Sequence, residues 1–224
     1  MKPGWLVLGG VALALALGVG GRVVLRRLDF FRVRRIELVG VTYLSPAAVT
    51  AALKLGPRAS VLDDLGPAER GLAALPGIAQ ATIRRRIPGT LRVEVTEVQP
   101  VALVPQDDGL RPIDARGRLL PYDPTRTPPD LPVARAADSA VAGVLERLRE
   151  LDPTTFAQVQ DARRAGEDVV LQIDGRRFRL GAGAPAEALR ALIAVAADLG
   201  RKGRAWRELD GRFAGQVIVR RRDA

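Results

Sequence analysis

Pro88-Gly89-Thr90-Leu91-Arg92-Val93-Glu94-Val95-Thr96-Glu97 is the stretch on which the fold turns. After the Pro-Gly turn, Leu91, Val93 and Val95 point to one side of an extended chain and Arg92, Glu94 and Thr96 to the other, because side chains alternate along a strand. Ahead of the turn, Ala81, Ile83 and Ile87 alternate with polar neighbours, so the two runs predict a β-hairpin with one apolar face. On that geometry Arg84 and Arg86 share the solvent face and pair across it with Glu94. Cross-strand charge pairing is an ordinary use for the run Arg84-Arg85-Arg86.

Working upstream, Phe31-Arg32-Val33-Arg34-Arg35-Ile36-Glu37-Leu38-Val39-Gly40 predicts a strand with Val33, Ile36 and Leu38 as its apolar contacts and Gly40 as its end. Ser45-Pro46 is a helix start, Ser as N-cap and Pro at the first helical position. Val49, Ala52 and Leu53 follow at helical spacing, and Gly56-Pro57 predicts the stop. Gly66-Pro67 opens a second short helix through Leu72 and Leu75, which Pro76-Gly77 ends. The order is therefore strand, helix, helix, strand, strand.

Working downstream, residues 110–113, the turn Asp114-Ala115-Arg116-Gly117 and Arg118-Leu119-Leu120 predict strand, turn, strand, with Pro112 confining its strand to an edge or an irregular position. Residues 121–132 hold five prolines, which makes an extended surface loop of them. Asp138 or Ser139 caps a helix whose Val141, Val144, Leu145 and Leu148 form one apolar stripe. Residues 169–173 and 176–180 flank Asp174-Gly175, the dipeptide that two-residue hairpin turns prefer. Pro185 opens a further helix with Leu189, Leu192, Ile193, Ala196 and Leu199 on one side. Two strands, over 206–213 and 216–220, close the chain.

Composition removes most chemistry. The 224 residues contain no His and no Cys, which excludes disulfides, thiol nucleophiles, histidine acid–base pairs and zinc sites of the Cys/His kind. Ser45, Ser60 and Ser139 have no histidine to activate them. Asp63-Asp64, Asp107-Asp108 and Asp114 sit in turn contexts, where Asp serves the backbone. Gly181-Ala182-Gly183-Ala184-Pro185-Ala186 mimics a dinucleotide fingerprint, but Pro185 removes an N–H from the helix start and no βαβ repeat surrounds it. The net charge of +10 invites nucleic acid. Against that, aromatics are only 4% of the chain, too few for base stacking, and the basic residues are spread in short runs.

Residues 5–21 carry no charge, and with Arg22 snorkelling the apolar stretch reaches Leu25, matching the roughly 20 residues of a bilayer crossing. Trp5 stands where an interfacial aromatic belongs. An uncleaved anchor is expected; a cleaved signal peptide, with Ala12-Leu13-Ala14 or Ala14-Leu15-Ala16 as its site, is the alternative. Arg22, Arg26, Arg27 and Arg32 outnumber Lys2 and the amino group, so a naive charge count would place the large domain in the cytoplasm. A missed upstream start codon would resolve that conflict.

From residue 31 onward the pattern resembles a known family. Phe31-Arg32-Val33, Ile36-Glu37-Leu38-Val39-Gly40 and Leu75-Pro76-Gly77-Ile78 with Ala81, Ile83 and Arg84 resemble the polypeptide-transport-associated (POTRA) domain. The run from Pro88 to Glu97, followed by Pro100-Val101-Ala102, resembles the version found in the bacterial division family FtsQ/DivIB. Ile113-Asp114 with Gly117 and Leu120-Pro121 is similar to the start of that family's second domain. Leu209-Asp210-Gly211-Arg212-Phe213 and Gly215-Gln216-Val217-Ile218-Val219-Arg220 resemble its closing pair of strands, with Gly211 standing where leucine is usual.

The resemblance implies an α+β protein: an N-terminal transmembrane helix, a small POTRA-like β-α-α-β-β domain, then a larger mixed β-rich domain with C-terminal edge strands. The expected divisions are a cytoplasmic stub at 1–4, the membrane helix at 5–25, a linker at 26–30, and domains at 31–100 and 101–224. It implies a non-enzymatic divisome scaffold in the inner membrane at the septum, its C-terminal domain extracytoplasmic, linking early division proteins to septal peptidoglycan synthesis. No catalytic residue, cofactor or metal is expected. Because residues 216–220 come last, they are expected at a sheet edge with unpaired N–H and C=O groups, to which an extended partner adds a strand. By the resemblance that edge receives a segment of the coiled-coil partner FtsB, itself paired with FtsL. Phe213 would be the aromatic anchor and Arg212 would meet acidic groups of the partner. Gln216, Val217, Ile218, Val219 and Arg220 would supply the edge. Alternatives stay open: an edge guarded against aggregation by Arg220, Arg221 and Arg222, a membrane-tethered POTRA protein that binds extended polypeptides in envelope assembly or transport, or, with orientation reversed, a basic protein touching nucleic acid.

Overall fold

Residues 29–122 and 130–221 are described by a computed structural model of the chain. The predicted stub and membrane helix, and residues 123–129 of the proline-rich loop, lie outside the described residues. Among the described residues no helix is long and apolar enough to cross a membrane. The chain divides into two units after Glu97.

The first unit begins with a 3-10 turn, Asp29–Phe31, and β1, Arg35–Val39. The strand predicted over 31–40 is shorter because Val33 N–H donates to Ala59 O at 2.9 Å and Arg34 N–H to Gly89 O at 2.9 Å, which ties these residues to loops. Gly40 ends β1 with φ of 81°, and a Cβ there would lie 2.1 Å from Val95 O, so only glycine fits. In α1, Pro46–Ala52, the Ser45 hydroxyl accepts from Ala48 N–H at 3.1 Å. The helix stops ahead of Gly56-Pro57, where Lys54 at φ 49° turns the chain. α2, Gly66–Ala73, leads to β2, Ile78–Arg86, and β3, Thr90–Glu97.

The sheet order is β1-β3-β2, β1 parallel and β2 antiparallel to β3. The helical connection sets β2 antiparallel to β1, and the hairpin then returns β3 between them, parallel to β1. Ile83, Leu91, Val93 and Val95 are buried with Val49, Leu53, Ala68 and Leu72. Ile87 is not part of this face: β2 ends at Arg86, and Ile87 is 66% exposed in the turn. Arg84 pairs with Glu94 at 3.4 Å as expected. Arg86 instead reaches Glu37 on β1 at 3.0 Å.

The second unit holds β4, Ala102–Gln106; β5, Gly109–Ile113; β6, Val133–Ala134; α3, Ser139–Leu151; α4, Pro153–Ala157; β7, Val159–Ala165; β8, Asp168–Ile173; β9, Arg176–Gly181; α5, Ala186–Arg201; β10, Glu208–Asp210; and β11, Ile218–Arg220. They form one eight-stranded sheet in the order β11-β10-β9-β8-β7-β6-β4-β5. The strand predicted over 118–120 reduces to a single bridge between Ile113 and Leu119, and the two closing strands are shorter than predicted. Asp138 caps α3 by accepting from Ala140 and Val141 N–H at 2.8 and 2.9 Å. Helices α3 and α5 touch each other and lie on β7–β8 and β9–β10. They bury Val141, Val144, Leu145, Leu148, Leu189 and Leu192 with Leu171, Phe178, Leu180 and Leu209 of the sheet.

Candidate partner-binding edge

Burial of Leu209 draws β10 into the sheet, where it pairs in parallel with β9 after the α5 crossover. β11 then returns antiparallel, setting Val219 opposite Leu209 and Ile218 opposite Asp210. No strand lies beyond β11 among the described residues. Val217 and Val219 are partly buried against the core, whereas Ile218 is 41% exposed. The intervening turn is closed by Gln216 N–H donating to Phe213 O at 3.2 Å, and it leaves Phe213 48% exposed. Phe213, Gly215 and Val217 face Pro185, Ala188 and Ala191 at the start of α5 across an open groove of roughly 440 Å³.

A lattice of charge holds this end together. Arg212 donates from Nε to Asp210 Oδ1 at 2.8 Å, from Nη2 to Asp210 Oδ2 at 2.7 Å, and from Nη1 to Asp168 Oδ2 at 3.0 Å. Asp168 also receives Arg179 of β9 at 2.8 Å. On the neighbouring register, Glu208 stands 3.3 Å from Arg177 and 3.6 Å from Arg220. Asp210 is fully buried, yet the Arg212 hydrogen bonds outweigh burial and hold its carboxyl below the usual range. The same contact raises the Arg212 guanidinium further.

Of the seven predicted edge residues, the structure brings Phe213, Gln216, Val217, Ile218, Val219 and Arg220 to one sheet edge and its adjoining turn. Arg212, in the same turn, is bonded within its own chain. Its donors reach Asp210 and Asp168, and its guanidinium lies 5.6 Å from the Phe213 ring. Asp168 is 44 residues away in sequence, so no local signal pointed to it. Gly211 suits its place: a Cβ there would press on Leu192 at 3.0 Å, so leucine would need α5 to move.

Most of the remaining candidates serve the backbone, whereas Asp108 pairs with the Arg111 side chain. Burial of Asp114 is outweighed by bonds from Arg118 and Arg116, which keep its carboxyl below the usual range. Asp63 and Asp64 accept turn N–H groups from Ser60 and Gly66. In the glycine-rich stretch, Ala182 and Ala184 N–H donate to Glu167 O and Gly181 O, so they are not aimed at an anion. Among the described residues no cluster of acidic side chains is arranged to hold a metal.

Two family models match the chain. One, the POTRA domain of FtsQ type, matches residues 31–97, and the other, the C-terminal region of cell division protein FtsQ/DivIB, matches residues 102–212. Residues 213–220 lie beyond the second match. The cell division protein FtsQ of Rhodothermus marinus is 32% identical over 86% of this chain and 79% of its own length. That of Neisseria gonorrhoeae is 28% identical over 79% of this chain and 73% of its own. A solved structure, the major extracytoplasmic domain of the trans isomer of DivIB from Geobacillus stearothermophilus, is 24% identical and covers 47% of this chain and 97% of that one, with a TM-score of 0.35.

Proposed function

The chain belongs to the FtsQ/DivIB family of non-enzymatic cell division proteins, and from that premise we propose that it is a membrane-anchored divisome scaffold that binds FtsB/FtsL-type partners at β11. Its task is to link early division proteins to septal peptidoglycan synthesis. The proposed anchor is residues 5–25, with the two folded units extracytoplasmic and concentrated at the septum.

One observation carries the partner reading: β11 is a terminal strand of the sheet, backed by the core through Val217 and Val219 and exposing Ile218. An extended segment laid along it gains main-chain hydrogen bonds from a template already rigid on its inner side. The groove beside Phe213 gives an apolar side chain of that segment somewhere to go. Arg220 turns back toward Glu208 and Asp210, at 3.6 and 3.7 Å, which favours an open edge over a guarded one.

Replacing Val219, whose backbone faces away from β10, with proline removes the outward donor of the edge and stiffens the strand. Capture of a purified FtsB/FtsL-type pair should fall below detection while the far-ultraviolet circular dichroism stays unchanged. Undiminished capture would refute strand addition. Conditional depletion tests the cellular role: filaments with blocked septa are expected, whereas normal septa with an envelope or secretion defect would favour a client-binding POTRA protein.

A further inference from the structure

The two most exposed large apolar side chains among the described residues are Ile87, 66% exposed, and Phe30, 61% exposed. They belong to the same end of the first unit. Arg34 joins them: its N–H donates to Gly89 O at 2.9 Å, and its Nη2 donates to Phe30 O at 3.0 Å. Arg35 N–H also reaches Gly89 O, at 3.2 Å, and Arg58 adjoins Ala59, whose carbonyl accepts from Val33 N–H at 2.9 Å.

The charges at this end are unevenly answered. Ion pairs within the first unit are Arg32–Asp29, Arg84–Glu94, Arg86–Glu37 and Arg92–Glu94. Asp63 and Asp64 are engaged by turn N–H groups. Arg34, Arg35 and Arg58 are exposed and have no carboxylate partner among the described residues. Two apolar side chains inside a cationic rim form the combination that seats a protein at a lipid interface.

The position of this end in the chain supplies the occupant. Phe30 follows Leu25, the last residue of the proposed membrane span, by five positions. Fully extended, those five steps reach about 18 Å at most. We propose that this end of the first unit docks on the bilayer: Phe30 and Ile87 enter the boundary between headgroups and acyl chains, and Arg34, Arg35 and Arg58 bind phosphates of anionic lipids. The proposal rests on the anchor reading above. Docking fixes the direction in which the first unit leaves the membrane, where a bare linker would let it swing.

The absence of cysteine makes the test direct, because any introduced thiol is unique. Full-length chains carrying Leu13→Cys, Ile87→Cys or Thr96→Cys are labelled with a polarity-sensitive dye and reconstituted into phosphatidylcholine vesicles with or without phosphatidylglycerol. Thr96 lies six residues along β3 from Thr90, roughly 20 Å from the docking end. A lipid-borne quencher should act several-fold more strongly on the label at 87 than on that at 96, and more so with phosphatidylglycerol. Arg35→Glu with Arg58→Glu should bring the label at 87 down to the level of that at 96. Equal quenching at 87 and 96, with the label at 13 strongly quenched, overturns docking and leaves the anchor standing. An unquenched label at 13 overturns both, and quenching at 87 that ignores phosphatidylglycerol overturns the phosphate contacts.

Discussion

At one edge of the eight-stranded sheet β5 carries Pro112, which has no N–H to offer, and the Pro112 carbonyl accepts from Leu120 N–H at 2.9 Å. The bridge from Ile113 to Leu119 covers more of that side. At the other edge Ile218 and Arg220 pair inward with β10, Val219 turns its N–H and C=O outward, and no neighbour lies beyond β11 among the described residues. Both edges are rich in arginine nearby, so arginine content does not distinguish them. What does is whether the backbone groups of the edge strand are removed or covered. By that measure β5 is closed and β11 is available.

If the charge lattice is what keeps β11 in place, the largest effect follows from Asp210→Ala. The change removes a buried carboxylate that Arg212 and Arg220 both face, and should cost on the order of 3 kcal/mol. Urea unfolding gives the total. Amide exchange should show lost protection in β10 and β11 with β5 unchanged; equal loss in β5 would mean that the two edges are one cooperative unit. A smaller effect is expected from Pro112→Val, which returns a donor to the closed edge. Stability should change by about 1 kcal/mol or less. Self-association should rise with concentration in analytical sedimentation, and partner capture at β11 should be undisturbed.

Much of this architecture was legible because the deciding signals are local. Ser45-Pro46, Asp138 and Asp174-Gly175 each act through bonds or dihedrals within a few residues, and each appears where the sequence puts it. The strands that the sequence does not predict lack such signals. β4 reads Ala-Leu-Val-Pro-Gln, and Pro105 hides the alternation of buried Ala102 and Val104. β7 reads Val-Gln-Asp-Ala-Arg-Arg-Ala, with only Val159 and Ala162 buried, and owes its conformation to pairing with β6 and β8. β6 has two residues, too few for any pattern. At the candidate edge the apolar ladder is readable from its own residues, but the Arg212–Asp168 pair is not, because only the folded sheet brings the two together.

A pH titration sharpens the same contrast with a modest effect. Asp210 and Asp114 have carboxyls held below their unfolded value near 3.8, so each contributes stability that is complete above that value. The contribution is lost as pH falls through the lower folded value. With no histidine in the chain, stability should be nearly flat between about pH 5 and 8 and should decline below about 4. Amide exchange on acidification should loosen β10 and β11 through Asp210, and Asp210→Asn should remove that part of the slope.

The smallest effect is expected at a third edge, β2 of the first unit, where Arg84 lies 68% exposed. Arg84→Ala removes its pairing with Glu94, but Glu94 keeps Arg92 at 2.9 Å, so the loss should be under about 0.5 kcal/mol. Stability is therefore the wrong measure of this residue. β2 is nine residues long, and among the described residues no strand pairs with its outer side and no proline interrupts it as one does β5. If Arg84, Arg85 and Arg86 keep that edge from pairing with another copy, Arg84→Ala should show weak self-association at high concentration with an unchanged melting temperature. A chain that remains monomeric would mean that the bulge between Ile78 and Gln80 and the two remaining arginines suffice, and that β2 differs from β11 in shape rather than in charge.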